Sequence, residues 1–298
     1  MVTVFLRGGL GNQMFQYALG LHLAKKNNTT LVFDTVYLRD RFPRKNFAYR
    51  TYDLDVFAIT PRFTALSRVA NAAPIPGIWL GADLLGATVR EFAGMQKMVR
   101  EKSDFFDPAV LEERGNLLLF GRWQSEKYFE EIAEEVRITF QFRESLTGEA
   151  KELGKRIRSA NSVSLHVRRG DFAAFKNVAQ LMGKTNLPYY QRAATYIGER
   201  VKNPEFFIFS DDIAWCKENL KLSYPATYMP PSATGSKAAF DLELMSLCKH
   251  NIIANSTFSW WGAWLNRNPE KIIVTPRIWY ADGRGSEPDL LPERWIKI

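Results

Sequence analysis

Cysteine and histidine are scarce in this chain, with two of the first, Cys216 and Cys248, and three of the second. Both cysteines stand in segments of helical pattern, so they read as buried thiols and not as a disulfide. No Cys or His pair has the spacing of a zinc site, and the sequence predicts no metal cofactor. Long apolar runs are also missing. The most apolar stretches are as short as LLLF at 117–120 and FFIF at 206–209, far below the roughly 18–20 residues that span a bilayer. The opening MVTVFLRGGLGNQ reads as a strand entering a glycine loop, without the apolar core and cleavage site of a signal peptide. The expectation is a cytoplasmic protein. No Gln-rich, Ser-rich or acidic tract suggests a disordered tail. The absence of interleaved basic and aromatic residues or a helix-turn-helix pattern predicts that nucleic acid is not a partner.

What is present is a chain of 298 residues, 46% hydrophobic and 24% charged, enough for two α/β domains, since single cores stop growing at about 250–300 residues. Lys and Arg number 40 against 32 Asp and Glu, a net +8, which suits an anionic partner such as a phosphate, nucleic acid or an anionic membrane face and selects none of them. The pattern predicts a strand at 2–6, a helix over 12–26 and a strand at 31–34. Residues 35–115, rich in Arg, Pro, Gly and aromatics, give weak periodicity, with Thr60-Pro61 opening a helix that Pro74 and Pro76 stop. A strand at 117–120, a helix over 126–137 capped by Ser125, and a polar helix over 146–160 lead to the second half. There strands at 162–167, 206–210, 226–229, 252–254 and 271–275 alternate with helices near 188–201, 212–220, 239–249 and 257–266. Such alternation specifies a parallel, doubly wound sheet. Domains are expected at 1–155 and 156–298.

Four motifs carry chemistry. In GGLGNQMFQYA, residues 8–18, glycines between strand and helix let backbone amides approach a ligand, and Asn12 and Gln13 add amides where the helix begins. HVRRGD, residues 166–171, follows a strand directly, at the sheet edge where open α/β folds bind ligands. One of Arg168 and Arg169 can put its fork on a diphosphate while the other pairs with Asp171; His166 by itself reads as a packed core residue. In FSDD, residues 209–212, Asp212 can cap the next helix, and the Asp211–Asp212 pair also suits a metal ligand or general base. In NSTFSWWGAWLN, residues 255–266, Asn255, Ser256 and Thr257 are candidate caps whose hydroxyls and amides can hold a base or phosphate, and the tryptophans read as core. Asp241 opens the preceding helix at the same edge, where a carboxylate can accept from guanine nitrogens.

Together these motifs, in this order from Gly8 to Asn266, resemble the α-1,2-fucosyltransferases of glycosyltransferase family 11 in their bacterial form. A looser similarity extends to the protein O-fucosyltransferases and α-1,6-fucosyltransferases. The resemblance implies a GT-B architecture of two Rossmann-like domains facing a cleft, the first on the acceptor side and the second holding GDP-fucose. It implies inverting, metal-independent transfer of L-fucose to the 2-hydroxyl of a terminal galactose, in surface polysaccharide or O-antigen synthesis. Carried over by motif, Arg168 meets the β-phosphate, Asn12 and Gln13 approach the diphosphate or fucose, and Asp241, Ser256, Thr257 and Phe258 surround guanosine. His166, Arg169 and Asp171 belong to the same donor loop. The general base stays open between Asp171, Asp211 and a residue of 35–115. The sequence lacks the N-terminal membrane anchor of the vertebrate members, which suggests a cytoplasmic enzyme with peripheral contact at the inner membrane. Another nucleotide-sugar donor, or nucleotide binding without catalysis, remains an alternative that a donor screen separates.

Overall fold

The computed structural model describes all residues except 44, 46, 47, 170–186, 231–238 and 281–288. Contacts divide the chain into one unit of Met1–Arg143 with Pro288–Leu290 and a second of Glu144–Glu287 with Leu291–Ile298. Each is built on its own parallel sheet.

In the first unit the run VTVF forms β1 (Val2–Phe5), buried along its whole length, as an apolar strand covered on both faces must be. It pairs in parallel with β2 (Leu31–Asp34) on one side and β4 (Leu117–Phe120) on the other, with β3 (Lys97–Arg100) beyond, in the order β2-β1-β4-β3. Helix α1 (Leu10–Lys26) covers the sheet and is buried on most sides. Gly20 permits this contact, because a Cβ there would stand 2.5 Å from Val4 Cγ2. The helix begins at Leu10, two positions before the expected start, with Gly9 as its N-cap.

The stretch 35–115 holds α2 (Val36–Arg39), α3 (Ala65–Ala72), α4 (Ile78–Phe92) and β3. Thr64, not Thr60, caps α3, its hydroxyl accepting from the Ser67 amide at 3.1 Å. Ser125 caps as expected, but the helix predicted over 126–137 is replaced by 3₁₀ turns at Glu126–Tyr128 and Glu130–Ile132 and a short α5 (Ala133–Thr139). Phe129, fully buried between the turns, sits at φ −142°, outside the helical region.

The second unit starts with α6 (Gly148–Ser159), which falls on this side of the division, whereas the expected boundary put most of it in the first domain. Its buried Ala150 and Ile157 join the core of Phe207, Phe209, Leu244 and Met245, so its apolar face binds it to this sheet. The strands are β5 (Asn161–Val167), β6 (Pro204–Ser210), β7 (Ala226–Tyr228), β8 (His250–Ile252), β9 (Ile273–Thr275) and β10 (Ile296–Lys297). All pair in parallel, in the order β10-β9-β8-β5-β6-β7. This is the dinucleotide-fold order, in which β5 leads to β6 on one side and β8 continues on the other, leaving a crevice at the carboxyl ends of β5 and β8. Helices α7 (Leu187–Gly198), α8 (Ile213–Asn219), α9 (Ala239–Leu247) and α10 (Thr257–Leu265) complete the layers. Trp260, Trp261 and Trp264 of α10 are buried against one another, with Trp260 also 5.3 Å from the Trp295 ring, which bears out their reading as core.

Candidate active site

Side chains alternate along β5. Val163, Leu165 and Val167 enter the apolar core with Tyr189 and Ile208. Ser162, Ser164 and His166 take the other face. There Asn251 Nδ2 donates to Ser164 Oγ at 2.8 Å and to the Met245 carbonyl at 2.9 Å, tying β5, β8 and α9 together beneath the crevice. His166 is 5% exposed, its ring 5.9 Å from that of Phe258 in the first turn of α10. Its Nδ1 is buried with no hydrogen-bond partner among the described residues. Burial first, and the Arg168 charge second, push the imidazole down to about 4, against the pull of Asp211. It is neutral near pH 7, with one ring nitrogen unsatisfied.

Beyond the end of β5 the two arginines meet the two aspartates that follow β6, because register pairs Val167 with Ser210. Arg168 Nη1 lies 2.9 Å from Asp211 Oδ2, and the Arg169 amide donates to Asp211 Oδ1 at 2.8 Å. Arg169 Nε donates to Asp212 Oδ2 at 3.1 Å, and its guanidinium lies 3.8 Å from the ring centre of Trp215. Asp212 also caps α8, accepting from the Trp215 amide at 3.1 Å. These bonds from the amide and Arg169 hold its carboxyl below the usual range. The capping reading of Asp212 therefore holds. Arg169 is thus engaged by Asp212 and Trp215; Asp171, its expected partner, lies outside the described residues. Asp211 is engaged by both arginines, a poor arrangement for a general base.

Across the switch point, Ser256 is the N-cap of α10 but makes no side-chain capping bond, and Ser256, Thr257 and Phe258 are half-buried. The amides of a first helical turn, lacking intrahelical acceptors, favour an anion or polar ligand. Helix α9 packs against α10, and Asp241 in its first turn carries a buried Oδ1 with no hydrogen-bond partner among the described residues. Burial alone pushes this carboxyl up to about 7. His166, Arg168, Arg169, Asp241, Ser256, Thr257 and Phe258 thus all belong to the carboxyl edge of one sheet. Among the described residues no group of three His, Cys, Asp or Glu is placed to hold a metal ion.

The glycine motif belongs to the first unit, at the equivalent switch between β1 and β4. Gly8 takes φ +78°, and a Cβ there would meet Asn12 Nδ2 at 2.3 Å, so the turn needs glycine. The ligand role expected of Gln13 is not what its surroundings allow. The side chain is fully buried, Nε2 donates to the Gly8 and Thr51 carbonyls at 2.9 and 2.7 Å, and Oε1 accepts from the Asp53 amide at 3.0 Å. It fastens the 51–53 loop to α1. Asn12 is half-buried and its Oδ1 accepts from Gln124 Nε2 at 2.7 Å.

Sequence reasoning missed several residues at these edges. Trp215, the platform under Arg169, looked like an ordinary helical aromatic. Arg7 and Arg122 end β1 and β4 in the first unit, and burial lowers the Arg7 pKa. Trp123 has φ +58°, a left-handed backbone that costs a tryptophan energy. Asp53, at the start of α1, has its carboxyl raised by burial. The run GRWQS directly after β4 was the available signal for Arg122 and Trp123.

A six-stranded parallel sheet with paired arginines at its switch point, joined to a second parallel α/β unit, is the fold class of the GT-B proteins. The family model "Glycosyl transferase family 11" matches residues 99–298, and the chain belongs to that family. It is 33% identical to an α-1,2-colitosyltransferase of Escherichia coli, over 100% of this chain and 99% of that one. It is 32% identical to the O-antigen biosynthesis glycosyltransferase WbnK of Escherichia coli, over 98% and 99%. A galactoside α-(1,2)-fucosyltransferase 1 of Mico humeralifer is 27% identical over 88% of this chain and 65% of its own. Among solved structures, the fucosyltransferase NodZ from Bradyrhizobium superposes with a TM-score of 0.51 at 16% identity, covering 88% of this chain and 91% of that one, which establishes the shared fold.

Proposed function

We propose that this glycosyltransferase moves L-fucose from GDP-β-L-fucose to the 2-hydroxyl of a terminal galactose, with inversion at the anomeric carbon and without a metal ion, in the assembly of a surface polysaccharide. The observation that carries the reading is the arginine pair after β5, standing at one switch point with the carboxylate of Asp241, whose buried Oδ1 has no hydrogen-bond partner among the described residues. A diphosphate fits the first and guanine the second: guanine N1–H and N2–H are donors, and an ionised carboxylate accepts both. As the C1–O bond to the β-phosphate breaks, negative charge grows on the leaving GDP, and Arg168, oriented by Asp211, stabilises it where other transferases employ a divalent cation. Arg169, locked by Asp212 and Trp215, supports that geometry. The acceptor oxygen forms the new bond from the opposite face and gives up its proton; a loosely bonded sugar cation asks little of a base.

The colitosyltransferase relative favours one second reading. Colitose is fucose lacking the 3-hydroxyl, so a site of this kind must discriminate by one polar contact. Competing GDP-fucose against GDP-colitose, with a panel of β1,3- and β1,4-linked galactosides and linkage analysis of the product, decides donor and acceptor together. Preferred transfer of colitose, or a product linkage other than α-1,2, overturns the proposal.

A further inference from the structure

Helix α4 turns a polar face toward the first sheet. Asp83, Ala87 and Arg90 stand at i, i+4 and i+7, one side of a helix; Asp83 and Ala87 are buried, and Arg90 Nε donates to Gln96 Oε1 at 3.1 Å. The sheet meets them with polar groups of its own. Register pairs Thr3 with Val32 and Phe5 with Asp34, so Thr3 and Asp34 share the face on which Phe5 packs with Ala87. Thr3, Asp34, Ser67, Asp83 and Gln96 are each 8% exposed or less, in a layer that a parallel sheet ordinarily fills with apolar side chains. Between them lies a cavity of about 1040 Å³ whose walls all belong to the first unit. It reaches Met1, Thr30 and Asn116, just before the amino ends of β1, β2 and β4, the opposite end of the sheet from the glycine motif.

The lining has the chemistry of a ligand site. Asp34 Oδ1 accepts from the Val36 amide at 3.0 Å and the Ser67 hydroxyl at 3.2 Å. The Asp83 carboxyl, in the cavity wall, hydrogen-bonds only to the Asp34 carboxyl among the described residues. Two carboxyls in contact cannot both ionise, and burial first, with Asp34 second, pushes Asp83 up to about 7. The pair therefore shares a proton and offers the cavity one negative charge and acceptor oxygens still short of donors. Arg62, Arg68 and Arg90 line the same walls, and the exposed Arg62 and Arg68 guanidiniums make no hydrogen bond or ion pair among the described residues. Three cations around one net anion repel a metal ion or an amine and admit an anion. The carboxyl pair calls for hydroxyl donors, and the half-buried ring of Phe63 adds a flat apolar wall. Hydroxyls, an apolar ring face and a negative charge together describe a sugar carrying an anionic group, and the volume suits a small organic molecule better than a single ion.

We propose that this cavity is a second ligand site, separate from the carboxyl edge of the second sheet, for a sugar ring bearing a phosphate or carboxylate, with the Asp34–Asp83 pair accepting from ring hydroxyls and Arg62, Arg68 and Arg90 holding the anion. The inference does not depend on the donor or acceptor of the transfer reaction. The test is titration calorimetry of the full chain with α-D-glucose 1-phosphate, with a glucuronate-bearing hyaluronan tetrasaccharide and with inorganic phosphate, each in the presence and absence of excess GDP. One of the two sugar ligands should bind at least about tenfold more tightly than inorganic phosphate and be indifferent to GDP. Preference for the first assigns the site to a free sugar phosphate, and preference for the second to an acidic glycan. Arg62→Gln/Arg68→Gln, which alters two exposed side chains, should weaken that ligand at least about tenfold. Asp83→Leu should weaken it similarly while leaving inorganic phosphate unaffected, and both variants should keep the parent's circular dichroism and GDP affinity. Binding of neither sugar ligand, displacement by GDP, inorganic phosphate binding as tightly as either sugar, or folded variants that bind as the parent does overturns the proposal.

Discussion

Asp241→Asn tests the site through stability as well as binding. Burial raises this carboxyl from 3.8 to about 7, so the folded protein holds the proton more tightly than the unfolded chain does. A shift of about 3 units at about 1.4 kcal/mol each means that ionising Asp241 in the empty fold costs on the order of 4 kcal/mol. The cost is absent below pH 4, where both states are protonated, grows as pH rises toward 7, and is level above that. Asparagine is uncharged throughout, and any fixed cost of burying its amide cancels when two pH values are compared. The variant should therefore gain about 2–3 kcal/mol relative to the parent between pH 5 and pH 8, a rise of roughly 5–10 °C in its relative melting temperature. GDP should reverse the advantage. Its guanine donors suit the ionised carboxylate, so parent affinity should rise with pH through 7, while the variant binds about 10- to 100-fold more weakly at pH 8. Scanning calorimetry and titration calorimetry with GDP read both effects. An identical melting-temperature difference at pH 5 and pH 8 would refute the buried-carboxylate argument, and unchanged GDP affinity would remove Asp241 from the base site.

Arg168→Lys keeps charge but loses the planar fork, and should reduce turnover by roughly 10²–10³-fold; Arg169→Lys should cost less, and steady-state rates showing the reverse order would exchange the two roles. Transfer should survive excess EDTA, with loss restored only by Mg²⁺ or Mn²⁺ counting against a metal-free mechanism. Gln13→Ala removes an amide that makes three buried bonds and should lower stability by about 2–4 kcal/mol, while the affinity for GDP stays unchanged; a selective loss of GDP affinity in a fully stable variant would restore its ligand role.

The second unit was legible because its strands and helices obey separate periods. Val163, Leu165 and Val167 alternate with polar neighbours, and Phe206–Phe209 form a continuous apolar run, so the expected 162–167 and 206–210 differ little from Asn161–Val167 and Pro204–Ser210. The 35–115 region was opaque for physical reasons. Helix α4 carries its apolar stripe outward and an aspartate inward, and it starts at Gly77 with φ +78° and no side-chain cap. β3 reads KMVR, an edge strand with exposed charged ends. At the site, Arg168 and the Asp212 cap followed from local sequence, since a strand end and a helix start fix them. The role of Gln13 did not, because its partners Thr51 and Asp53 are brought to it only by the fold. Asp212 with Arg169 likewise needed the register between β5 and β6.

Each group at the switch point of the second sheet is held in a state that a nucleotide diphosphate would relieve. Desolvation keeps His166 neutral and opposes ionisation of Asp241; Asp211 and Asp212 hold the arginines in place. An anionic diphosphate can draw on the Arg168 fork, and guanine can supply donors to Asp241 Oδ1, which has none among the described residues. The same unit buries a tryptophan cluster and satisfies the Asn251 network a few residues away. Among the described residues, buried polar atoms without a partner include His166 Nδ1 and Asp241 Oδ1 at this edge and others elsewhere, such as Tyr52 and Trp295, so the pH-dependent stabilisation expected of Asp241→Asn, together with its loss of GDP affinity, is what distinguishes a binding group from imperfect packing.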